Sequence, residues 1–173
     1  MNDFTSEIDG ARAGRHDVPI SQYRRWISDG DLSTRARVYV FTRDAWSQIK
    51  PEPEMTEQCA FMAEYLIEGL VRNPPGEDDF IHTGFEAGYE LAAWLKHLTN
   101  RADGGPIIAD VVKRLETAYR AADSETRNRI ETGALEHALE SRKVRPFFAT
   151  WSTDPLLAEA HGPALQWGLA HSD

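Results

Sequence analysis

The sequence is poor in the residues and runs that mark exported or membrane proteins. It has one cysteine, Cys59, so no disulfide can form within the chain. No stretch approaches the roughly 20 apolar residues that a membrane-spanning helix needs. The first 17 residues are polar and lack the apolar segment of a secretion signal. We therefore expect a protein that works in the cytoplasm, a reducing compartment where free thiols persist.

Motifs of several enzyme classes are also missing. The sequence has no glycine-rich phosphate loop, no closely spaced cysteine pair for zinc and no nucleophile elbow around a serine. Cys59 falls in an apolar row of helical spacing, which favours a buried thiol over a nucleophile. These absences predict a protein that is not an enzyme and that carries neither a cofactor nor a metal.

The chain has an excess of negative charge, and this excess is distributed unevenly along the sequence. Its 28 acids outnumber its 19 lysines and arginines, for a net charge of −9. Residues 1–50 hold seven acids and eight bases, whereas residues 51–173 hold 21 acids and 11 bases. Such a surface favours solubility. It also suits a basic protein partner and argues against nucleic acid as a direct ligand, and we expect no membrane partner.

Apolar residues recur at spacings of three and four along most of the chain, which predicts helices. The clearest case is 105–140, which we interpret as two antiparallel helices joined by a short turn around Asp123 and Ser124. Either residue can cap the second helix. The sequence thus predicts an all-α fold, a helical bundle of antiparallel helix pairs with about six or seven helices.

One segment, 33–49, is ambiguous. Its run RVYVFT has the composition of a strand, but its apolar residues also fall on one helical face, with Ser33 or Thr34 as a cap. Because no second convincing strand accompanies it, we assign it to a helix.

Proline and glycine positions divide the chain into three parts. Residues 1–17 are predicted to be a polar tail, 18–54 a helical extension that ends in a Pro-rich linker, and 55–173 the main bundle. Within the bundle, helices are expected over about 55–72 and 80–99. The last helix is predicted to start at Asp154-Pro155 and to be interrupted at Gly162-Pro163.

Two kinds of side chain are candidates for contact with a partner. The acids that can form one negative face are Glu77, Asp78, Asp79, Glu131, Glu136 and Glu140. Such a face favours rapid and selective association with a positively charged partner. Trp151 is a further candidate, because tryptophan is favoured in binding hot spots. The structural alternatives are that the first three acids match a helix dipole and that Trp151 packs in the core.

Carboxylates and imidazoles also occur together at helical spacing. His82 and Glu86 are one turn apart, and Glu136, His137 and Glu140 form a second group. Such groups ligate metals or act as acid and base inside helical bundles, so a metal-dependent helical hydrolase is an alternative function. Both groups fall on the polar faces of their helices, which favours simple solvation.

Four sequence features carry a resemblance to a known family. They are the apolar helix over 80–98, the run VKRLE at 112–116, the short acidic turn that follows, and the run NRIETGALE at 128–136. With these features, residues 59–140 resemble a bacterial family of small all-helical proteins that are encoded beside polymorphic toxins and assigned as their immunity proteins.

The resemblance implies a protein that binds a cognate toxin domain and neutralises it by occluding its active site, without catalysis of its own. The acidic charge would suit a basic, nuclease-type toxin, and a toxin that acts in the cytoplasm needs its inhibitor there. A further alternative is a helical adaptor or scaffold that binds a peptide in a groove between helices.

Overall fold

The structure, a computed structural model, describes residues 4–73 and 83–172. Over these ranges the protein is all-helical apart from one pair of two-residue strands, which confirms the predicted fold class. The α-helices are α1 Thr5–Gly14, α2 Ile20–Asp29, α3 Leu32–Ala45, α4 Met55–Arg72, α5 Gly84–Leu98, α6 Gly104–Ala121, α7 Ser124–Arg129, α8 Glu136–Leu139 and α9 Pro155–Ala170. None of these helices combines the length and apolarity that crossing a bilayer requires.

Shorter elements connect several of the helices. A π-helix, Ile130–Leu135, joins α7 to α8, and 3-10 helices cover Trp46–Gln48 and Arg145–Thr153. The strands β1 Val18–Pro19 and β2 Ile49–Lys50 pair in parallel. The described ranges thus hold nine α-helices instead of the predicted six or seven. The number rises because α1 was not foreseen and because the π-helix divides one predicted helix into α7 and α8.

The chain forms two compact units, which divide within α4 after Tyr65. The described part of the first unit is 4–65, and that of the second is 66–73 and 83–172. The sequence placed the division at residue 54, after the Pro-rich linker. The first turns of α4 belong with the N-terminal helices because the ring of Tyr65 stacks on that of Tyr39, with centroids 4.6 Å apart.

The first unit includes the segment that was predicted to be a polar tail. Residues 5–14 form α1, because Ile8 and Ala11 provide a small buried face that packs on α3. The prediction of a helix within 33–49 is confirmed by α3. Its cap is neither Ser33 nor Thr34 but Asp31, whose carboxylate accepts a hydrogen bond from the Thr34 amide at 2.8 Å.

In the second unit, the two helices predicted within 105–140 are present as α6 and the continuous run α7, π-helix and α8. Asp123 caps α7 by accepting a hydrogen bond from the Thr126 amide at 2.8 Å. The helix predicted over 80–99 is α5, which starts after Thr83 with a capping box to Glu86. Residues 80–82 lie outside the described residues.

The predicted interruption at Gly162-Pro163 is wrong, because α9 runs unbroken from Pro155 to Ala170. Asp154 fixes its start by accepting hydrogen bonds from the amides of Leu156 and Leu157 at 3.0 and 3.1 Å. Buried residues lie on both sides of Pro163, namely Leu157, Ala160, His161, Ala164 and Gly168. This shared buried face compensates for the hydrogen bond that a proline cannot donate.

Two glycines allow helices of the second unit to approach closely. A Cβ atom on Gly88 of α5 would lie 2.7 Å from the carbonyl carbon of Gly133 in the π-helix. A Cβ atom on Gly168 of α9 would lie 2.6 Å from the carbonyl carbon of Leu139 at the end of α8. Both distances are far below van der Waals contact, so each position requires glycine. The backbones of α5 and α9 therefore pack directly on the π-helix and α8.

Candidate functional site

A row of aromatic rings crosses the surface of the second unit. Tyr89 of α5 meets His137 of α8 edge to face, with ring centroids 4.7 Å apart. His137 meets Trp167 of α9 in the same way at 4.8 Å. Trp167 in turn stacks on His171, with centroids 4.0 Å apart and planes inclined by 17°. Tyr89 is 48% exposed, so the row is open to solvent at its α5 end.

The close glycine contacts explain why these four rings meet. Tyr89 follows Gly88 directly and Trp167 precedes Gly168 directly, so each ring sits beside a point where two backbones touch. His137 comes just after the π-helix, whose wider turn changes the direction in which the following residues project. Single π-helical turns within α-helices occur frequently at functional sites.

Glu140 borders this row and is held by internal partners. Its carboxylate accepts a hydrogen bond from His137 Nδ1 at 2.9 Å and pairs with the Lys96 ammonium group of α5. Partial burial alone would raise the pKa of the Glu140 carboxyl group. The hydrogen bonds from Lys96 and His137 outweigh that effect and hold the pKa below its usual value.

Glu136 lies next to the row and has no such partner. Among the residues that the structure describes, none forms a hydrogen bond or an ion pair with its carboxylate. Partial burial raises the pKa of Glu136, and the charge of Glu131 raises it further, although the imidazoles of His137 and His171 act in the opposite direction. A carboxylate that has lost water without gaining a partner is a ready acceptor for a cation from outside.

We name this set the ring–acid surface, and it consists of Tyr89, Glu136, His137, Glu140, Trp167 and His171. Aromatic rings attract cations over their faces, and tyrosine and tryptophan give large contact areas at low entropic cost. Together with an unpaired carboxylate, they form a surface that attracts cations. Of this surface, the sequence analysis predicted only Glu136 and Glu140 as partner contacts. The rings belong to α5, α8 and α9 or their ends, so their proximity is not visible in the sequence.

The other predicted contact residues are not part of this surface. Glu131 lies near Glu136 and its charge raises the pKa of that carboxyl group, but Glu131 is itself engaged. Glu131 accepts a hydrogen bond from the Tyr119 hydroxyl at 2.6 Å. Burial of Tyr119 and this bond to a carboxylate raise the pKa of the phenol far above its usual value. Trp151 has no exposed surface to offer a partner, because it is 0% exposed and packs against Phe148. Glu77, Asp78 and Asp79 lie outside the described residues.

The candidate ligands of the alternative metal site do not converge within the part of the chain that the structure describes. Glu86 accepts a hydrogen bond from the Thr83 amide at 2.8 Å as part of the helix cap, and His82 lies outside the described residues. Within 4–73 and 83–172, no three histidine, cysteine, aspartate or glutamate side chains are placed to hold one metal ion.

Comparisons with known proteins add no relative. No protein-family model, no curated protein and no solved structure matches this chain.

Proposed function

We propose that this protein is an immunity protein, which binds a toxin domain and blocks its active site, and that the ring–acid surface is its contact face. The observation that carries this proposal is the unpaired carboxylate of Glu136 beside the partly exposed rings of Tyr89 and Trp167. The resemblance of residues 59–140 to immunity proteins supports it independently. We further propose that the helices pair antiparallel within a bundle, as the sequence suggests.

The charge and shape of this face favour a basic toxin. A cation on the toxin would replace the water that Glu136 has lost. The new ion pair would then offset the desolvation free energy of the carboxylate. Tyr89 supplies the exposed aromatic area that dominates many interfaces. Inhibition is then steric, with no catalytic step and no cofactor, and it takes place in the cytoplasm where the toxin acts.

Co-expression tests the function. The toxin domain encoded beside this gene should stop growth of a bacterial host, and the present chain should restore it. Purified together, the two proteins should elute as one complex. Normal toxicity in the presence of the folded chain, with no complex at micromolar concentrations, would overturn the proposal.

Substitutions test the face itself. Tyr89→Ala should weaken toxin binding by roughly 30-fold, corresponding to about 2 kcal/mol for a hot-spot residue. The matched control is Leu169→Ala, since Leu169 is 54% exposed and lies two positions from Trp167 along α9, about 200° around the helix. Equal affinities of the two variants, measured by isothermal calorimetry, would place the contact on another face.

A further inference from the structure

A pocket opens beside the ring–acid surface, where the chain leaves α5 and α8. Its volume is about 370 Å3, which is within the range of small-ligand sites. Its walls include Lys96, Asn100, Glu140, Arg142, Lys143 and His171. All of these residues belong to the second unit.

The pocket is basic within an acidic chain. Lys96 is neutralised by Glu140, but the two other cations are not. Among the described residues, Lys143 donates its one hydrogen bond to the uncharged side-chain oxygen of Asn100, at 3.0 Å. Arg142 is exposed and has no hydrogen-bond or ion-pair partner within the described ranges. The pocket therefore carries two positive charges that no described residue neutralises, although the net charge of the protein is −9.

A structural explanation for these cations would be that they satisfy carbonyl groups at helix C-termini. Arg145 already serves that purpose. Its guanidinium group donates to the carbonyl oxygens of Leu139 at 2.7 Å, Glu140 at 3.1 Å and Gly168 at 3.3 Å. Arg142 and Lys143 are thus surplus to the capping of α8 and α9.

We propose that this pocket binds a small organic anion that carries two or more acidic oxygen groups. The guanidinium fork of Arg142 suits a carboxylate or phosphate group in a two-point contact, and Lys143 supplies a second charge. Asn100 accepts from Lys143 through its oxygen, which leaves its amide group free to donate to the ligand. Because two separate cationic side chains line the pocket, a ligand with more than one acidic group matches it better than a single inorganic ion.

The test is a titration of the full-length, nitrogen-15-labelled protein at low ionic strength, where screening is weak. Citrate and inorganic phosphate serve as probes, and NMR shifts of the backbone amides around Asn100 and Lys143 give the affinity. We expect saturable binding of citrate, with phosphate at least roughly tenfold weaker. The double variant Arg142→Gln and Lys143→Gln should weaken citrate binding by about tenfold or more.

Lys113→Gln is the matched control, because Lys113 is an exposed lysine of α6 and should leave the affinity unchanged. Absence of saturable shifts, or equal affinity in the double variant, would overturn the proposal. So would equal binding of phosphate and citrate, which would indicate a single-anion site. If citrate fails to bind but the double variant loses its protein partner, the pocket takes an acidic side chain of that partner and not a small molecule. Neither altered residue belongs to the ring–acid surface, so this result is separable from that for toxin binding.

Discussion

The two units use their ion pairs differently. Within residues 4–65 of the first unit, five arginine–carboxylate pairs each join two different helices, as follows: Arg12–Asp44, Arg24–Glu57, Arg25–Glu7, Arg35–Glu64 and Arg37–Asp9. Among the described residues of the second unit, four pairs join residues one turn apart on the same helix, namely Arg72–Glu68, Arg114–Asp110, Arg120–Glu116 and Arg129–Glu125. Two others, Lys96–Glu140 and Arg120–Asp154, join different helices. Ion pairs between helices thus predominate in the first unit, where only Arg43–Asp44 among the described pairs lies within one helix, whereas pairs within one helix are the more numerous kind in the second.

This difference shows which charges are available for binding. Helices of the second unit are held by apolar faces and by the glycine contacts of Gly88 and Gly168, so fewer charges are needed between them. Glu136 and Arg142 have no partner among the described residues, and they lie at the two sites that we propose for ligands. The comparison therefore predicts that paired charges affect stability and that unpaired ones affect binding.

The largest effect is expected at Arg129. Unlike the other arginines that pair within one helix of the second unit, it is buried. Its side chain is 7% exposed, and it donates to the carbonyl oxygens of Leu70 at 3.1 Å and Val71 at 3.2 Å at the end of α4. Arg129→Met leaves these carbonyls without a partner, so the free energy of unfolding should fall by about 3 kcal/mol. Urea denaturation measures the change.

The control for this substitution is Arg142→Met. Because Arg142 is exposed and unpaired among the described residues, the free energy of unfolding should change by less than about 0.5 kcal/mol. A similar loss in both variants would mean that burial does not distinguish these arginines.

The next largest effect concerns the contact between α5 and the π-helix. In Gly88→Ala, the added methyl group meets the backbone of Gly133, which cannot move aside as a side chain could. We expect a loss of about 2 kcal/mol in the free energy of unfolding. Gly105→Ala is the control, because nothing lies within 4 Å of a Cβ atom there, and it should be neutral or stabilising by about 0.5 kcal/mol. Equal effects would show that the contact is not tight.

Local patterns were sufficient to predict the fold class. The stripe of the predicted second helix is buried as expected, at Ile130, Ala134, Leu135, Ala138 and Leu139. The start of α9 follows from Asp154 and Pro155, whose effects are confined to one turn. The errors arose where tertiary packing overrides composition. Two buried residues, Ile8 and Ala11, and three ion pairs hold α1 in place. A shared buried face allows α9 to continue through Pro163.

The candidate site was harder to predict, because its geometry depends on contacts between helices. The run IETGAL carries no sequence signal for a π-helix. That Gly88 permits close backbone packing is apparent only from its contact with Gly133 in the structure. Trp167 and His171 are one turn apart, which indicates a stacked pair only if both side chains share an exposed face. Glu136 was identified from its charge alone, and the absence of a partner could not be foreseen.

The smallest predicted effect compares two carboxylates of opposite character. Hydrogen bonds from Arg24 hold the pKa of Glu57 below its usual value, so this group stabilises the fold above its unfolded-state pKa and loses that contribution as the pH falls. Burial raises the pKa of Glu136, so its favourable contribution exists at low pH and is lost as the pH rises through its folded-state pKa. The two substitutions to glutamine should therefore have opposite signs.

Near pH 7, Glu57→Gln should lower the free energy of unfolding and Glu136→Gln should raise it, each by less than about 1 kcal/mol because both groups are partly exposed. The Glu136 difference should vanish near pH 3.5, where that carboxyl group is largely protonated. The Glu57 difference should shrink there and vanish only at still lower pH, because the pKa of Glu57 in the folded protein is depressed. Urea denaturation at the two pH values measures them, and equal signs would contradict the contrast between the units. Glu136→Gln should at the same time weaken binding of a basic partner. If replacing a residue stabilises the free protein and weakens its complex, that residue serves binding. Its destabilising effect on the fold is then offset only in the complex.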